Sequence, residues 1–288
     1  MDAAGVEPTA PVEVIHDRPW STVLRVPTDE GDLFLKQEAP LQAFEVPLTL
    51  ALASRWPDRM PAVVAADVER AWLLLRDGGV RVADSCAYDV FEHALRLYGE
   101  LQVGEVPHAD ELLGLRLPDV RLDVITDAYE PFFERDHGLT GEEVGTALAL
   151  GPRYRELCEE LAAVGLPATI QHDDLHQWNV FARGDRVGIY DWGDSSIAFP
   201  LWSWLKPFLA LTEAGIDPEP TRRAYLSAWT DFASEVDLRR ALELAIPTGF
   251  FAYCFQIRRQ YDLTQAHAEY KSYLPMRLRQ FLAALQAA

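Results

Sequence analysis

The residues that could do chemistry in this sequence lie in the segment QHDDLHQWNV, residues 171–180, and in IYDWGD, where Asp191 follows twelve residues after Asn179. Between them run VFA, the polar turn RGDR and VGIYD, a pattern that predicts two short strands joined by a tight turn. Asn179 and Asp191 are equidistant from Asp185, so antiparallel pairing would bring their oxygens to the open end of this hairpin. Because Mg²⁺ takes a few oxygen ligands from protein, the pattern predicts Asn179 and Asp191 as metal ligands.

A third acidic residue completes this pattern. Asp174 lies five residues before Asn179 on the same loop. There its carboxylate could accept the proton of an attacking hydroxyl, while a metal neutralises the phosphates. The segment therefore predicts a phosphoryl-transfer centre with Asp174 as its catalytic residue.

The same loop allows a different interpretation, because His172, Asp174 and His176 are residue types that bind zinc in metallohydrolases. Neither a further histidine nor a Cys-x-x-Cys pair lies nearby in the sequence to complete a tetrahedral set, and Asn179 would be unused. We interpret His172 as structural and assign no role to His176. The metallohydrolase stays as an alternative.

The pattern His172-Asp-Asp174-Leu-His176-x-x-Asn179 with Asp191-Trp-Gly resembles the catalytic loop and metal motif of the aminoglycoside phosphotransferase family. These are small-molecule kinases with a protein-kinase-like fold. Asp173 departs from the pattern, since the family usually has glycine at this position.

The resemblance covers the chain from about Trp20 to about Trp204. It implies an α+β, two-lobed, protein-kinase-like fold with a small antiparallel-sheet lobe and a mainly helical lobe. We expect the nucleotide-binding lobe at residues 1–77 and the helical lobe, with the catalytic loop and the substrate site, at residues 78–288.

A kinase needs a lysine on a strand of the small lobe. Segments STVLRV (residues 21–26) and DLFLKQ (residues 32–37) predict a hairpin in which Phe34 and Lys36 share a face. Lysine is scarce here, with three among 26 basic residues, which makes its place at the end of a strand informative. By resemblance, Lys36 holds the nucleotide phosphates as an exposed strand lysine. The same resemblance implies that Phe34 stacks on adenine, with ordinary core packing as the equal alternative.

The resemblance also requires a carboxylate that pairs with this lysine. Glu45 opens an apolar pattern that predicts a short helix running to Arg55, with Pro47 tolerated in the first turn. Its interval of nine residues from Lys36 is short for the family, so Glu38 is a rival partner.

Two further segments are assigned to the nucleotide by resemblance. No glycine-rich loop precedes the strands, so backbone N–H groups near residues 20–22, at Ser21, are expected to cover the phosphates. Residues 74–78 resemble the hinge that meets the adenine edge, which assigns Leu75 and Arg76 to the nucleotide site. Gly78 and Gly79 then supply a flexible crossing.

Beyond Val80 the apolar spacing predicts helices, and the catalytic hairpin carries the only strong strand signal. Pro247 is expected to kink or split its helix. The helical segments are Tyr88–Leu101, Asp123–Arg135, Gly141–Leu150, Pro152–Val164, Pro220–Phe232, Asp237–Tyr261 and Ala266–Ala287.

Composition limits the class of protein. With 288 residues and a net charge of −19, the chain lacks the basic surface that nucleic-acid binding needs. The acidic charge could attract a cationic substrate or simply provide solubility.

We expect no membrane association and no leader, since no long apolar run and no signal-peptide pattern occurs. Three widely spaced cysteines suit the reducing cytoplasm. The oligomeric state stays open.

The sequence therefore predicts an ATP-dependent phosphotransferase that uses Mg²⁺, with GTP as an alternative donor. Its acceptor is a hydroxyl of a small polar, aminoglycoside-like or amino-sugar-like molecule, for which the acidic charge suggests a cation. Protein acceptors are not expected, because only eight residues separate Asp191 from Pro200, too few for a peptide-docking segment. A nucleotide-binding pseudokinase is the non-enzymatic alternative.

Overall fold

The structure is a computed structural model that describes residues 5–264, 267 and 270–288. The chain groups into two compact units. Unit 1 comprises Met1–Ala94 with His176–Asp194, and unit 2 comprises Leu95–Leu175 with Ser195–Ala288. This grouping differs from a single cut after residue 77, because the hairpin that follows the catalytic loop pairs with a strand near residue 80. The division into lobes at residues 1–77 and 78–288 remains a prediction.

The main sheet of unit 1 is antiparallel, and its five described strands have the order β1-β2-β3-β5-β4. The hairpin expected from the sequence is confirmed as β2 and β3, with β3 one residue later than expected. The strands are β1 (Glu13–Asp17), β2 (Ser21–Val26), β3 (Leu33–Glu38), β4 (Val63–Asp67) and β5 (Trp72–Arg76).

The alternation of side chains along β3 separates the two faces of this sheet. Leu33 and Leu35 pack in a cluster with Val26 and Leu74. Because successive residues of a strand point to opposite faces, the side chains of Phe34 and Lys36 are directed away from this cluster.

A second sheet of unit 1 consists of β6 (Val80–Arg81), β9 (Val180–Arg183) and β10 (Arg186–Ile189), in the order β10-β9-β6. The expected hairpin is thus confirmed, but its centre is shifted. The turn contains Gly184 and Asp185, Val180 pairs with Ile189, and the Asn179 carbonyl accepts a hydrogen bond from the Tyr190 N–H at 2.9 Å. Asn179 therefore lies opposite Tyr190 rather than opposite Asp191, because the turn has two residues and no central one.

The first helix of unit 1, α1, has the expected bounds Glu45–Arg55, and α2 spans Val82–Ser85. The glycines before β6 are packed rather than open. A Cβ at Gly79, whose φ is +95°, would lie 2.3 Å from the Ala182 carbonyl oxygen, and one at Gly78 would lie 2.7 Å from the Tyr190 hydroxyl. At Gly79 two backbones approach so closely that only glycine fits, whereas Gly78 lies against the Tyr190 side chain.

Unit 2 contains a small sheet that the sequence did not reveal, with the order β7-β11-β8. Its strands are β7 (Asp119–Val120), β8 (Thr169–Gln171) and β11 (Ser196–Ala198). Segments of two or three residues are too short to show an alternating pattern, so these strands leave no strong signal in the sequence.

Several of the remaining helices differ in their bounds from those expected from proline positions and apolar spacing. The segments expected on either side of Pro152 form one helix, and Pro247 lies inside another that is not split. The segment 123–135 instead forms two short helices. The helix expected from Ala266 has its first residues outside the described residues. The helices are α3 (Tyr88–Glu105), α4 (Ala109–Gly114), α5 (Leu122–Asp127), α6 (Tyr129–Phe132), α7 (Gly141–Ala163), α8 (Leu205–Glu213), α9 (Glu219–Leu226), α10 (Glu235–Thr264) and α11 (Tyr273–Ala287).

Aromatic side chains from four helices form the core of unit 2. The Tyr129 ring lies 4.8 Å from those of Tyr154 and Phe251, and Phe251 lies 5.3 Å from Phe281. These contacts fix α10 and α11 against α6 and α7. Among the described helices, none has the length and apolar content needed to span a membrane.

Candidate active site

Lys36 lies at the centre of a cluster of carboxylates in unit 1. Its Nζ donates to Glu45 Oε2 and to Asp191 Oδ1, both at 2.6 Å. Glu38 Oε1 lies 2.9 Å from the same nitrogen, but not in hydrogen-bond geometry. The structure therefore places both Glu45 and its rival Glu38 beside Lys36, and of these two glutamates only Glu45 accepts a hydrogen bond from it.

The burial of this cluster differs from the expectation of an exposed strand lysine, since only 9% of the Lys36 surface is exposed. Burial alone would lower the pKa of Lys36, but the charges of Asp191, Glu38 and Glu45 hold that pKa well above its ordinary value. Burial and the neighbouring Glu45 carboxylate raise the pKa of Glu38 well above its usual range. Lys36 is thus a permanent cation.

Glu45 is held by a second contact. Its Oε1 accepts a hydrogen bond from the Trp192 N–H at 3.1 Å. Gly193 leaves the space for this arrangement, because a Cβ there would lie 2.7 Å from Glu45 Oε2 and 3.3 Å from Gln42 Nε2. The glycine of the Asp191-Trp-Gly motif is therefore required by the close approach of the Glu45 side chain.

Asp191 follows β10 in the left-handed region, with φ of 64°, which aspartate tolerates better than most residues. Its side chain is half exposed, whereas Asn179 is buried. The Trp192 indole anchors the turn by donating to the Ile189 carbonyl oxygen at 3.0 Å. The carboxylate is thus fixed at Lys36 while remaining open to ligands.

A cavity of about 400 Å³ lies entirely within unit 1 and has Asn179 and Asp191 in its wall. All of the residues that the sequence assigned to nucleotide or metal line it: Ser21, Phe34, Lys36, Glu45, Leu75, Arg76, Asn179 and Asp191. A largely apolar wall with a few charged groups, at this volume, suits a nucleotide base joined to phosphates. The amide and carboxylate oxygens are hard donors of the type that Mg²⁺ takes, so the residues present fit both groups.

Asp174 belongs to unit 2, where its carboxylate meets a lysine that the sequence interpretation missed. Asp174 Oδ1 lies 2.6 Å from the Nζ of Lys206, and the two side chains are 25% and 15% exposed. Lys206 lies in the first turn of α8. The scarcity of lysine that singled out Lys36 applied equally to Lys206 and could have found it.

Hydrogen bonds within unit 2 fix the start of the catalytic loop. The N–H of the fully buried His172 donates to the Tyr98 hydroxyl oxygen at 2.9 Å. The His172 Nδ1 accepts from the Asp174 N–H at 3.4 Å. These contacts hold the start of the loop, and the structural role of His172 remains a prediction.

Asp173 carries a buried carboxyl beside the proposed base. It has φ of 63°, which explains why glycine suits this position. Its oxygens accept hydrogen bonds from Ser196, from Gln171 and, at 2.7 Å, from Gln256. Burial raises the pKa of Asp173 to about 7, although these hydrogen bonds act to lower it.

The geometry gives no support to the metallohydrolase alternative. Among the described residues, no group of three histidine, cysteine or acidic side chains could hold a metal ion. Within the separate units, Asp174 pairs with Lys206, and the His176 Nδ1 accepts from the Trp178 N–H at 3.2 Å.

Comparison with known proteins gives the fold and then the family. The structure is similar to choline kinase from Streptococcus pneumoniae, with a TM-score of 0.68, 13% identity and coverage of 100% of this chain and 97% of that one. It is also similar to a choline/ethanolamine kinase family protein from Mesorhizobium loti, with a TM-score of 0.64, 17% identity and coverage of 97% and 94%. A spectinomycin phosphotransferase in complex with ADP and spectinomycin has a TM-score of 0.51 at 10% identity, with coverage of 98% and 94%. These similarities define a protein-kinase-like fold.

The sequence of residues 14–202 matches the phosphotransferase enzyme family. The chain belongs to this family and is a small-molecule phosphotransferase, which confirms the resemblance seen in the catalytic loop. A sequence search among curated proteins gives no match.

Proposed function

We propose that this chain transfers the γ-phosphoryl group of ATP, with Mg²⁺, to a hydroxyl of a small polar molecule. The observation that carries the proposal is the contact of Lys36 with both Glu45 and Asp191 in the wall of the unit 1 cavity. A lysine that is oriented by a glutamate and lies beside a metal-binding aspartate is the arrangement by which kinases hold nucleotide phosphates.

Within this proposal each lining residue has a role. Lys36 binds the phosphates and Glu45 orients it. Phe34 and Leu75 contact the adenine base, while the backbone at Ser21 and at Arg76 meets the phosphates and the base edge respectively. The apolar walls next to the charged end support this division, since a nucleotide has the same two parts. GTP differs from ATP only in the base, so it remains an alternative donor.

Asn179 and Asp191 would hold the metal. Mg²⁺, when bound, neutralises charge on the phosphate oxygens. The chain supplies one amide and one carboxylate oxygen in the same wall, and phosphates and water complete such a site.

Asp174 is proposed as the catalytic residue that orients the acceptor hydroxyl and takes its proton. Its carboxylate is one-quarter exposed, so it is accessible to a ligand, and its ion pair with Lys206 fixes its position. It lies five residues before Asn179 in the sequence, which matches the spacing of the family's catalytic loop.

Charge indicates the class of acceptor. The similar structures include kinases named for choline and for spectinomycin. These names, together with the net charge of −19, favour an aminoglycoside-like, amino-sugar-like or otherwise cationic acceptor. The local charge at Asp174 outweighs the net charge, because the Lys206 ammonium contacts this carboxylate directly and already occupies the place of a ligand cation.

The proposal is tested with Asp191→Ala. We expect Mg²⁺-dependent turnover of ATP to fall at least about 10²-fold, because the metal loses its carboxylate ligand. Turnover of ATP and of GTP is measured across a Mg²⁺ titration. The matched control is Asp185→Ala, which removes an exposed aspartate at the opposite end of the same hairpin.

Three outcomes are distinguishable. Loss of turnover in Asp191→Ala alone supports the proposal, and the faster nucleotide identifies the donor. Equal turnover and equal metal dependence in wild type and Asp191→Ala would remove the proposed metal site. Nucleotide binding by the wild type without turnover on any acceptor would instead indicate a pseudokinase.

A further inference from the structure

A group of cationic and aromatic side chains in unit 2 is connected to Asp174 through Lys206. It consists of Lys206 on α8, Tyr253 on α10, and Tyr273 and Arg277 on α11, and is called the Lys206–Arg277 cluster below. The phosphotransferase fold needs Asp174 but does not explain why Lys206 pairs with it, or why a second cation, Arg277, lies over the same Tyr253 ring as Lys206. The cluster is unusual in a chain with a net charge of −19.

Lys206 occupies the position that a cationic ligand would take. Its Nζ bonds Asp174 at 2.6 Å and lies 4.3 Å from the centre of the Tyr253 ring. A carboxylate and an aromatic face are the two features by which proteins recognise ligand ammonium groups. Because the protein's own ammonium already fills this place, a cationic acceptor would have to displace it or bear its repulsion.

Arg277 adds a second cation whose partners are neutral. Its guanidinium carbon lies 5.5 Å from the Tyr253 ring centre and 5.0 Å from that of Tyr273. It donates to the Gln280 amide oxygen at 2.8 Å and to the Tyr273 hydroxyl oxygen at 3.4 Å. In the part of the chain that the structure describes, the Nε of Arg277 is buried without a hydrogen-bond partner.

Among the described residues, the Lys206–Arg277 cluster therefore contains one cation, Arg277, that no carboxylate is seen to neutralise. Lys206 is neutralised by Asp174, whereas the partners of Arg277 among the described residues are tyrosines and Gln280. The two tyrosine hydroxyls share a hydrogen bond, which fixes the rings under the guanidinium. A half-buried guanidinium that pairs with no carboxylate is costly unless a ligand supplies the negative charge.

We propose that the acceptor of this phosphotransferase carries an anionic group, a carboxylate or a phosphate, which Arg277 binds next to the hydroxyl presented to Asp174. The inference rests on the proposed function, since it takes Asp174 as the residue that meets the acceptor. A guanidinium fork matches both anions through paired N–H donors, and this favours arginine over lysine at such a site.

The test uses four sugars that share one ring and differ in charge: glucuronate, glucose 6-phosphate, glucose and glucosamine. Binding of each to the full-length protein is measured by saturation-transfer NMR titration at constant ionic strength. We expect at least one of the two anionic sugars to bind at least about tenfold more tightly than glucose, and glucosamine to bind no better than glucose. The two anions separate a carboxylate site from a phosphate site.

Two variants locate the binding. Arg277→Gln should weaken binding of the preferred anion at least about tenfold and leave glucose unchanged. Arg279→Gln is the matched control, because it removes an equal charge two residues along the same helix, from an arginine that pairs with Glu143. Arg277→Lys keeps the charge without the fork, and should retain part of the binding.

The proposal fails if neither anion binds, if glucosamine binds as tightly as the anions, or if Arg277→Gln binds the anion as the wild type does. If Arg277→Gln does not fold, the proposal is still tested by the order of affinities of the four sugars for the wild type and by the affinity of Arg277→Lys for the preferred anion. Failure of the proposed function is recognised separately: the wild type would then show neither Mg²⁺-dependent AMP-PNP binding nor ATP turnover. Neither of these readouts depends on the sugars.

Discussion

At the scale of single residues, two of the chain's three lysines contact the aspartates on which the proposed reaction depends. Lys36 bonds Asp191 in unit 1, and Lys206 bonds Asp174 in unit 2. In each unit the lysine is largely buried and the carboxylate is more exposed. A buried cation fixes the geometry of an accessible carboxylate, which is the organisation that catalytic groups need.

The first prediction at this scale concerns Asp174→Asn. The amide keeps the shape and an oxygen for Lys206 but cannot take a proton, so kcat should fall roughly 10²-fold or more while nucleotide binding is retained. Isothermal titration with AMP-PNP and steady-state ATP turnover provide the two measurements. A variant that loses binding but keeps kcat would show that Asp174 is a binding residue.

The second prediction concerns Gly193→Ala. The new Cβ would lie 2.7 Å from Glu45 Oε2, so the carboxylate must move from Lys36 and from the Trp192 N–H. We expect turnover to fall at least about tenfold, since small misplacements of positioning groups are costly. The control is Gly145→Ala in α7, where a Cβ meets no atom within 4 Å. Equal turnover in both variants would show that Glu45 has room to adjust.

At the scale of elements, β3 and the β9–β10 hairpin carry the site of unit 1. Because side chains alternate along β3, Lys36 lines the cavity while Leu35 packs in the apolar cluster on the other face of the sheet. The hairpin carries Asn179 and Asp191 at its open end although its register is one residue from the expected one. Both residues still line the cavity, because Asp191 leaves the strand direction in a left-handed turn.

The prediction at this scale is that Lys36→Met weakens the fold as well as the activity. Loss of the Lys36 ammonium leaves buried carboxylates without their cation. Breaking a buried ion pair in this way lowers the free energy of unfolding by about 3 to 5 kcal/mol. This replaces the expectation of a largely exposed lysine with little effect on stability. Urea unfolding is compared with that of Lys271→Met, which alters an exposed lysine. Equal unfolding midpoints would show that the three carboxylates do not depend on Lys36.

At the scale of the whole molecule, the acidic charge and the buried carboxyls govern how stability depends on pH. The net charge of −19 disfavours the compact state through self-repulsion, and salt screens part of it. Asp173 adds a specific contribution, because burial raises its pKa to about 7 in the folded chain.

The prediction for the whole molecule is a pH-dependent difference between the wild type and Asp173→Gly. A raised folded pKa gives stability that is complete below the unfolded pKa, about 3.9, and is lost as pH rises through about 7. Relative to the variant, the wild type should therefore lose about 2 to 3 kcal/mol of unfolding free energy between pH 5 and pH 8. Glycine also suits the left-handed φ. Urea unfolding at both pH values measures the difference, and a constant difference would mean that Asp173 stays ionised.

The sequence by itself determined the parts of this protein that depend on local pattern. The catalytic loop and the Asp-Trp-Gly motif led to the family and the fold class, and both are confirmed. The period of two in β3 assigned Lys36 and Leu35 to opposite faces of the strand, and the apolar spacing after Glu45 predicted the bounds of α1. Such patterns need no distant partner, because backbone geometry alone sets the direction of successive side chains.

Only the tertiary structure decided which distant residues meet. It brought Glu38 to Lys36 beside Glu45, Lys206 to Asp174, and Gln256 to Asp173. It also decided that Lys36 is buried, and that Pro152 and Pro247 lie within continuous helices. Burial and long-range pairing arise from the packing of whole elements, and the free energy of that packing outweighs the local preference of any single residue.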